Sequence, residues 1–233
     1  MKKTARMLIG LTLAMMLGTG ALAQDEGTLV QSSCNIVQSG EYALVYCFAQ
    51  VHNNTDQTIC LDEGSLHVMN GEETLASERL TRLWPPFLAP GQDGYVFDIA
   101  TLASGGEAAM PTVTNVSYDL TYMTVNTAYG GQALEAQAYM EVSDGTGRLS
   151  AVCAITNTTD RDVFGATVAV GLYTDAGQMV FADGLTLGDV GVPSGGTVLV
   201  RFDVDEALTQ QWRSYNALPT QAYAQAMVTA QED

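Results

Sequence analysis

The chain has 233 residues, a formal net charge of −17 and 47% hydrophobic residues, with four cysteines and two histidines. This length and apolar content suffice for one or two domains with cores of their own. Because the acidic charge repels nucleic-acid backbones and anionic lipids, we exclude nucleic-acid binding as a function.

The first 23 residues have the layout of an export signal. A basic start, MKKTAR, precedes the apolar run MLIGLTLAMMLGTG and the small-residue cleavage motif ALA at 21–23. The apolar run is shorter than the roughly 20 residues of a membrane-spanning helix. We predict a cleaved bacterial signal peptide at 1–23 and a secreted, extracellular protein without membrane insertion. Cleavage would leave six basic residues, all arginine, against 26 acidic ones.

The cysteines are unevenly distributed. Cys34, Cys47 and Cys60 lie in the first half of the chain, and Cys153 lies alone in the second. An exported chain can form disulfides, and three cysteines allow one internal bridge whose partners the sequence does not identify. The alternative is that the cysteines are small buried hydrophobic side chains. No CxxC spacing supports a metal site.

The chain contains an internal repeat, marked by NNTD at 53–56 and NTTD at 157–160. Apolar residues alternate before each motif, at Val45, Cys47, Ala49 and Val51 and at Leu149, Ala151, Cys153 and Ile155. Alternation of period two is typical of a strand with one buried face, and Asn, Thr and Asp are typical of turns. Each motif is therefore predicted to be a strand-to-strand corner, with Ser150, Ala154 and Thr156 on a solvated face.

Further strands are predicted downstream of each corner. In the second copy, alternating apolar residues from Phe164 to Leu172 precede a TDAG turn, and CLDEGSLHVMNGEETL is the weaker counterpart in the first. The segment 88–99 parallels 191–204, and 111–125 parallels 219–228. Only DEALTQQWRSYN at 205–216 has a helical pattern, with Asp205 as its predicted N-cap.

About six or seven short strands per copy, with a turn signal roughly every 8–12 residues, are typical of β-sandwiches. We predict an all-β protein with two tandem immunoglobulin-like β-sandwich domains. Domain 1 is predicted at 24–127 and domain 2 at 132–233, joined near Gly130 and Gly131.

The second copy resembles the FxLYD-type immunoglobulin-like domains of exported bacterial proteins. The resemblance rests on VCAITNTTDRDV, VAVGLYTDAGQMV and GVPSGGTVLVRFDV. Where the family pattern has Phe-x-Leu-Tyr-Asp, this chain has Val170 in place of the aromatic residue and Thr174 inserted before the aspartate. The first copy shares only the corner and LAPGQ. The resemblance implies an accessory or binding module of cell-surface proteins and carries over no catalytic residues.

The histidines and carboxylates of the sequence do not form a recognisable catalytic motif. His52 and His67 are expected to face outward and offer, with Asp62 or Glu63, at most a surface metal site. The carboxylate pairs Glu72–Glu73 and Asp205–Glu206 are typical of turns and helix starts. Acidic corners at 143–147 and 160–162 could supply oxygen ligands to calcium, and turn chemistry accounts for them equally well. We predict no enzyme, and no catalytic, cofactor or metal residues.

The stretch LWPPFLAP at 83–90 is the most unusual apolar segment. Trp84 and Phe87 flank Pro85 and Pro86, and the prolines prevent ordinary central-strand pairing. Because Trp is enriched at interface hot spots, this loop is a candidate recognition surface. The alternative is that it covers the end of the sandwich or the interdomain junction.

Three functional hypotheses follow from these features, in order of support. The leading one is a secreted, non-catalytic module that binds a protein or glycan at the bacterial surface, through the 84–87 loop or an open sheet edge. The alternative is a structural spacer that self-associates through strand edges. A hydrolase comes third, because the chain offers no recognisable catalytic motif.

Overall fold

The computed structural model describes residues 27–103, 110–125, 131–145 and 147–228, so the predicted signal peptide lies outside the described residues. The elements are β1 (Gly27–Ser39), β2 (Tyr42–Asn53), β3 (Thr58–Asn70), β4 (Glu73–Leu80), β5 (Phe87–Leu88), β6 (Asp93–Ala103), β7 (Asn115–Val125), β8 (Gln132–Val142), β9 (Leu149–Thr156), β10 (Ala166–Tyr173), β11 (Met179–Thr186), β12 (Thr197–Asp203), α1 (Glu206–Ser214) and β13 (Gln221–Val228). The protein is all-β, as predicted. Within the described ranges, no helix has the length and apolar content to span a membrane.

The strands form three antiparallel sheets. One sheet has the order β1-β2-β6, and another has β3 between β4 and β7, with β5 pairing the start of β3. The third has six strands in the order β11-β10-β13-β8-β9-β12. In this sheet β8 pairs with two strands in succession. Its first residues, Gln132 to Leu134, pair with β13, and the residues from Glu135 onward pair with β9. This division joins two strand triplets into one curled sheet.

The strand pairings recur along the chain, which confirms the internal repeat at the level of topology. The triplet β1-β2-β6 corresponds to β8-β9-β12, and β4-β3-β7 corresponds to β11-β10-β13. The pairing of Ile59 with Leu88 also has a counterpart, the bridge between Val163 and Val192. We call residues 27–125 the first repeat and residues 131–228 the second repeat.

The NNTD tetrapeptide is a corner built around a buried asparagine. Asn53 is fully buried, and its Nδ2 donates to the carbonyls of Gln57 and Leu88, both at 2.8 Å. Its Oδ1 accepts from the Thr55 N–H at 2.9 Å and the Thr55 hydroxyl at 2.8 Å. Buried backbone carbonyls need hydrogen-bond donors, and at the end of β2 the Asn53 side chain supplies the donors for two of them.

The second tetrapeptide repeats this network contact for contact. Asn157 is also fully buried, and its Nδ2 donates to the carbonyls of Arg161 at 2.7 Å and Val192 at 2.9 Å. Its Oδ1 accepts from the Thr159 N–H at 3.0 Å. Every partner is displaced by the same chain offset that separates Asn53 from Asn157. The predicted strand-to-strand corner is therefore confirmed in both copies.

The predicted solvated face of the second copy is wrong for Ser150, which is buried and donates from Oγ to Asp203 Oδ1 at 2.8 Å. Its neighbour Val152 is also buried. The reason is that β9 is a central strand, and Val152 lies between Tyr139 of β8 and Arg201 of β12. Longer side chains on flanking strands cover short ones on a central strand.

The predicted helix is confirmed as α1, with Asp205 as its N-cap. Asp205 Oδ1 accepts from the Ala207 N–H at 2.8 Å, which satisfies one of the free N–H groups of the first turn. Leu208 and Trp212 on the inner side of the helix are buried. The helix connects β12 to β13 and covers one end of the second repeat.

Candidate binding site at the junction of the two repeats

The two repeats share an apolar core where they meet. Tyr46, Phe48 and Tyr95 lie on the outer face of β2 and β6, and all three are buried among residues of the second repeat. The ring centroids of Phe48 and Phe181 are 5.6 Å apart. The opposite face of β2 packs in the first repeat's own core, so β2 is buried on both faces.

Aromatic rings of the first repeat pack directly on glycines of the second repeat. A Cβ placed on Gly171 of β10 would lie 2.9 Å from the Tyr95 ring, and one on Gly184 of β11 would lie 2.5 Å from the Trp84 ring. Both distances are below ordinary van der Waals contact. All of β10 is buried, rather than one face as the alternation predicts, because its outer face packs against the first repeat.

Directional hydrogen bonds fix the orientation of this packing. Buried Asn35 donates from Nδ2 to the Val180 carbonyl at 3.2 Å and accepts at Oδ1 from Trp212 Nε1 at 3.1 Å. The Tyr173 hydroxyl donates to Gln50 Oε1 at 3.1 Å. Since each bond requires one relative placement of donor and acceptor, the two repeats meet in a specified geometry.

The Tyr46 hydroxyl donates to Asp205 Oδ2 at 2.9 Å, which links β2 to the helix cap. Burial, followed by this hydrogen bond to the carboxylate, raises the pKa of Tyr46 from 10.0 to about 12. The folded state therefore holds a proton that the unfolded chain releases. The contribution of Tyr46 to stability is complete below the unfolded pKa and is lost as the pH rises through the folded one.

We expect the free energy of unfolding to fall between pH 10 and pH 12, and Tyr46→Phe to make that fall shallower by up to about 1.4 kcal/mol per pH unit. Urea titrations at closely spaced pH values measure this slope. Tyr139→Phe, on a side chain that is 44% exposed, is the matched control and should keep the wild-type slope. Equal slopes for Tyr46→Phe and wild type would contradict the assignment.

The structure places Trp84 of the predicted recognition loop at the rim of the junction. Its ring packs on Gly184 and stacks with the Phe97 ring, with 6.3 Å between centroids. The Arg82 guanidinium lies 5.7 Å from the centroid of the same ring. Trp84 is half-buried, so the ring contributes both to the junction and to the remaining open surface.

The other loop residues differ in burial. Pro85 is buried, whereas Pro86 and Phe87 are half-buried. Phe87 pairs with Cys60 through β5 and β3, so the loop is anchored on the second sheet of the first repeat. The loop thus covers part of the junction, and its role in recognition stays a prediction.

Two grooves flank Trp84. The larger, of about 380 Å³, is lined by Arg82, Trp84 and Phe87 from the first repeat and by Thr167 and Thr186 from the second. A groove of about 310 Å³ lies beside Phe97, Asp98 and Gly184. Both volumes are at the lower end of the range for small-ligand sites, about 300–1,000 Å³. An aromatic face, a cation and hydroxyl groups in one groove can bind a ligand without covalent chemistry.

The structure does not bring the two histidines together. His52 lies on β2, with Nδ1 2.7 Å from Asp93 Oδ1. His67 lies on β3 in another sheet, where Nδ1 is 2.8 Å from Ser77 Oγ and Nε2 is 3.1 Å from Asp119 Oδ2. A shared surface metal site with Asp62 or Glu63 is therefore not formed.

Ser77, His67 and Asp119 nevertheless have the composition of a catalytic triad. They meet because β4, β3 and β7 are neighbours in the sheet, a pairing that no sequence spacing reveals. The cluster lies on the open outer face of that sheet, where the Asp119 side chain is 81% exposed. Neither groove touches it, and an open face neither excludes water nor aims donors at a developing oxyanion.

The acidic corner at 160–162, a candidate for calcium, has a structural partner. Asp162 Oδ1 accepts from the Ser194 N–H at 2.9 Å, which joins the second repeat's corner to the turn before β12. Within the described part of the chain, no group of three or more His, Cys, Asp or Glu residues is placed to hold a metal ion.

No family model matches the chain, and no curated protein matches it either. Among solved structures, dimeric latent PorU from Porphyromonas gingivalis is 16% identical over 81% of this chain and 18% of that chain, with a TM-score of 0.22. Procruciferin, the 11S globulin of Brassica napus, is 7% identical over 88% of this chain and 85% of that chain, with a TM-score of 0.12. The chain spans about a fifth of the PorU chain. TM-scores this low support no statement about fold or function.

Proposed function

We propose that the protein is a secreted, non-catalytic module that binds a neutral glycan in the groove beside Trp84. The observation that carries this proposal is the composition of that groove. An aromatic ring, a guanidinium held over it and threonine hydroxyls from both repeats line one cavity of about 380 Å³. Because both repeats contribute, the site depends on their fixed junction, and clefts between units are frequent ligand sites.

The groove suits a glycan better than a protein segment. Thr81, Thr167 and Thr186 supply hydroxyls that can donate to and accept from sugar hydroxyls. Threonine is under-represented among protein-interface hot spots, so these residues are poor anchors for a protein partner. The strongly acidic chain repels anionic polymers over long distances, which favours an uncharged glycan.

The proposed scaffold is a tandem pair of immunoglobulin-like β-sandwiches of the FxLYD type, at 24–127 and 132–233. The recurrence of strand pairing and of the asparagine corner supports two copies of one unit. Export through the signal peptide at 1–23 would place such a module outside the cell.

The experiment is a calorimetric titration of the protein with neutral cell-surface polysaccharides, comparing Arg82→Gln with Arg79→Gln. Both arginines are exposed on the first repeat and carry the same charge, but only Arg82 lines the groove. We expect Arg82→Gln to weaken binding by about tenfold to a hundredfold, since a hydrogen bond from a charged donor is worth about 1.5–3 kcal/mol. Arg79→Gln should bind like wild type.

Equal losses in the two variants would reduce the effect to net charge and contradict the site. Binding to none of the polysaccharides would contradict the glycan. If a protein captured from an envelope fraction is lost specifically with Arg82→Gln, the groove is a protein-recognition site instead. Trp84→Ala is unsuitable as the primary variant because its ring also packs on Gly184.

Self-association is the second candidate, favoured by one observation. Leu199 on β12 is 62% exposed, and among the described strands only β9 pairs with β12. An unpaired edge with an exposed apolar side chain is a possible template for another chain. Sedimentation of the protein over a range of concentrations tests this candidate separately from glycan binding.

A further inference from the structure

Cys34 and Cys47 lie directly opposite each other in the antiparallel pair β1–β2. Directly opposite residues in a β-ladder project to the same face. Cys47 is fully buried in the first repeat's core, and Cys34 packs against that core. The thiols of Cys34 and Cys47 therefore meet on the inner face of the first sheet. From the sequence alone, this pair is one of three that Cys34, Cys47 and Cys60 could form.

The hydrogen-bonding pattern shows which kind of pair they form. The Asn53 N–H donates to the Gln92 carbonyl at 3.0 Å, so the peptide groups of Asn53 point from β2 toward the β6 side. Alternate residues of a strand direct their peptide groups to the same side. Cys47 lies an even number of positions earlier in β2, and the β2–β6 register is unbroken from Cys47 to His52. Cys47 therefore also directs its peptide groups toward β6, away from β1.

A second contact gives the same answer from the β6 side. Trp84 and Tyr95 exchange both backbone hydrogen bonds, at 2.8 and 2.7 Å, so Tyr95 points away from β2. Asp98 lies an odd number of positions after Tyr95, so its peptide groups point to the opposite side, toward β2. Asp98 is the register partner of Cys47. The Cys34–Cys47 pair is consequently a non-hydrogen-bonded pair of the β1–β2 ladder.

This pair type matches the geometry of a disulfide. In non-hydrogen-bonded antiparallel pairs the Cα atoms are about 4.5 Å apart and the side chains approach closely. Disulfides span Cα separations of about 4.4–6.8 Å. We propose that Cys34 and Cys47 form a disulfide that joins β1 to β2, while Cys60 and Cys153 remain thiols.

The oxidant is a disulfide, either of a small thiol or of a dithiol oxidoreductase in the compartment that receives the exported chain. The Cys34 thiolate attacks one sulfur of that disulfide, forms a mixed disulfide and releases the first thiol. The Cys47 thiolate then attacks Cys34 Sγ and releases the second. Two electrons pass to the oxidant, and the two thiol protons end on the released thiols.

Burial determines when this exchange takes place. In the folded protein it raises the pKa of Cys34 to about 11 and that of Cys47 further. Thiolates are the attacking species, so exchange in the finished fold is slow near neutral pH. The bond is therefore formed while the β1–β2 hairpin closes. It then holds the strand that carries Asn35, whose side chain bonds Val180 and Trp212 across the junction.

The test is refolding of the reduced, urea-unfolded protein in a buffer of reduced and oxidised glutathione. The product is unfolded again at low pH, and its free thiols are alkylated and counted by intact mass. We expect two alkylated thiols in place of four, and a linked pair of chymotryptic peptides containing Cys34 and Cys47. The same protein isolated after export into an oxidising compartment should give the same count, which covers a failure to refold in vitro.

Single serine variants identify the partners. Cys34→Ser and Cys47→Ser should each leave three alkylated thiols, whereas Cys60→Ser and Cys153→Ser should each leave one. Four free thiols in both the refolded and the exported wild-type protein would overturn the proposal. A linked peptide that contains Cys60 or Cys153 would overturn it equally.

Discussion

Replacing Asn157 with alanine is expected to lower the free energy of unfolding by about 3 kcal/mol. The substitution removes the donor for the carbonyls of Arg161 and Val192 and the acceptor for the Thr159 N–H and hydroxyl. The Asn157 side chain is fully buried, so water does not replace these bonds without opening the corner. A buried polar group left without a partner costs about 1–3 kcal/mol.

Equilibrium unfolding in urea measures this loss, and the intrinsic fluorescence reports on both repeats because Trp84 lies in the first and Trp212 in the second. Asn53→Ala should cost a similar amount, since its contacts are the same. Thr158→Ala is the control, because Thr158 is exposed within the same tetrapeptide and surface changes usually stay within about 0.5 kcal/mol. A loss for Asn157→Ala no larger than that of the control would show that the corner is not held by its asparagine.

The corner was predictable because most of its contacts are local. Asn157 forms hydrogen bonds with residues two and four positions later in the chain, and such short-range contacts are recognisable from the tetrapeptide itself. The long-range partner was not predictable from the motif. The bond to Val192 depends on β12 returning beside β9, which is a property of the whole repeat.

The burial of β2 on both faces had a sequence signal that the alternation concealed. YALVYCFAQV is a nearly continuous apolar run, and such runs are typical of strands covered on both sides. The covering surface gave no matching signal. Gly171 and Gly184 read as weak points of a strand, whereas in the structure they make room for Tyr95 and Trp84. Complementarity between distant residues is not encoded in the pattern of either segment.

The two copies differ on the face where they meet. Where β10 has Ala169 and Gly171 facing the first repeat, β3 has Ser65 and His67 at the matching positions. That polar face of the first repeat offers no flat apolar seat for aromatic rings. Repetition of the same contact by a further copy is therefore disfavoured, and self-association would have to use another surface, such as β12.

The outer face of β9 in the second repeat also differs from the matching face of β2 in the first repeat. Its Val152 occupies the position of Phe48, and β12 has Arg201 at the position of Phe97. The first repeat thus has aromatic rings at the two positions where the second has Val152 and Arg201, and the ring beside Val152, Tyr139 of β8, stays 44% exposed. Sequence divergence between the copies, rather than their similarity, marks the junction and with it the grooves beside Trp84.

The contact between Trp84 and Gly184 is expected to show strong energetic coupling. Gly184→Ala alone should destabilise the protein by about 1–3 kcal/mol, because the added methyl group would lie 2.5 Å from the Trp84 ring. Trp84→Ala alone should cost about 3 kcal/mol through lost packing. In the Trp84→Ala background the methyl group meets no ring, so Gly184→Ala should then cost close to nothing.

A double-mutant cycle of urea unfolding measures the coupling, expected at about 1–3 kcal/mol. Gly145→Ala is the matched control, since a Cβ there meets no atom within 4 Å, and its effect should be the same in both backgrounds. Additive costs for Trp84 and Gly184 would mean that the ring does not seat on the second repeat in solution. The loop 84–87 would then be free to act as an independent recognition surface, whereas coupling makes the fixed junction the platform on which the groove and Arg82 are presented.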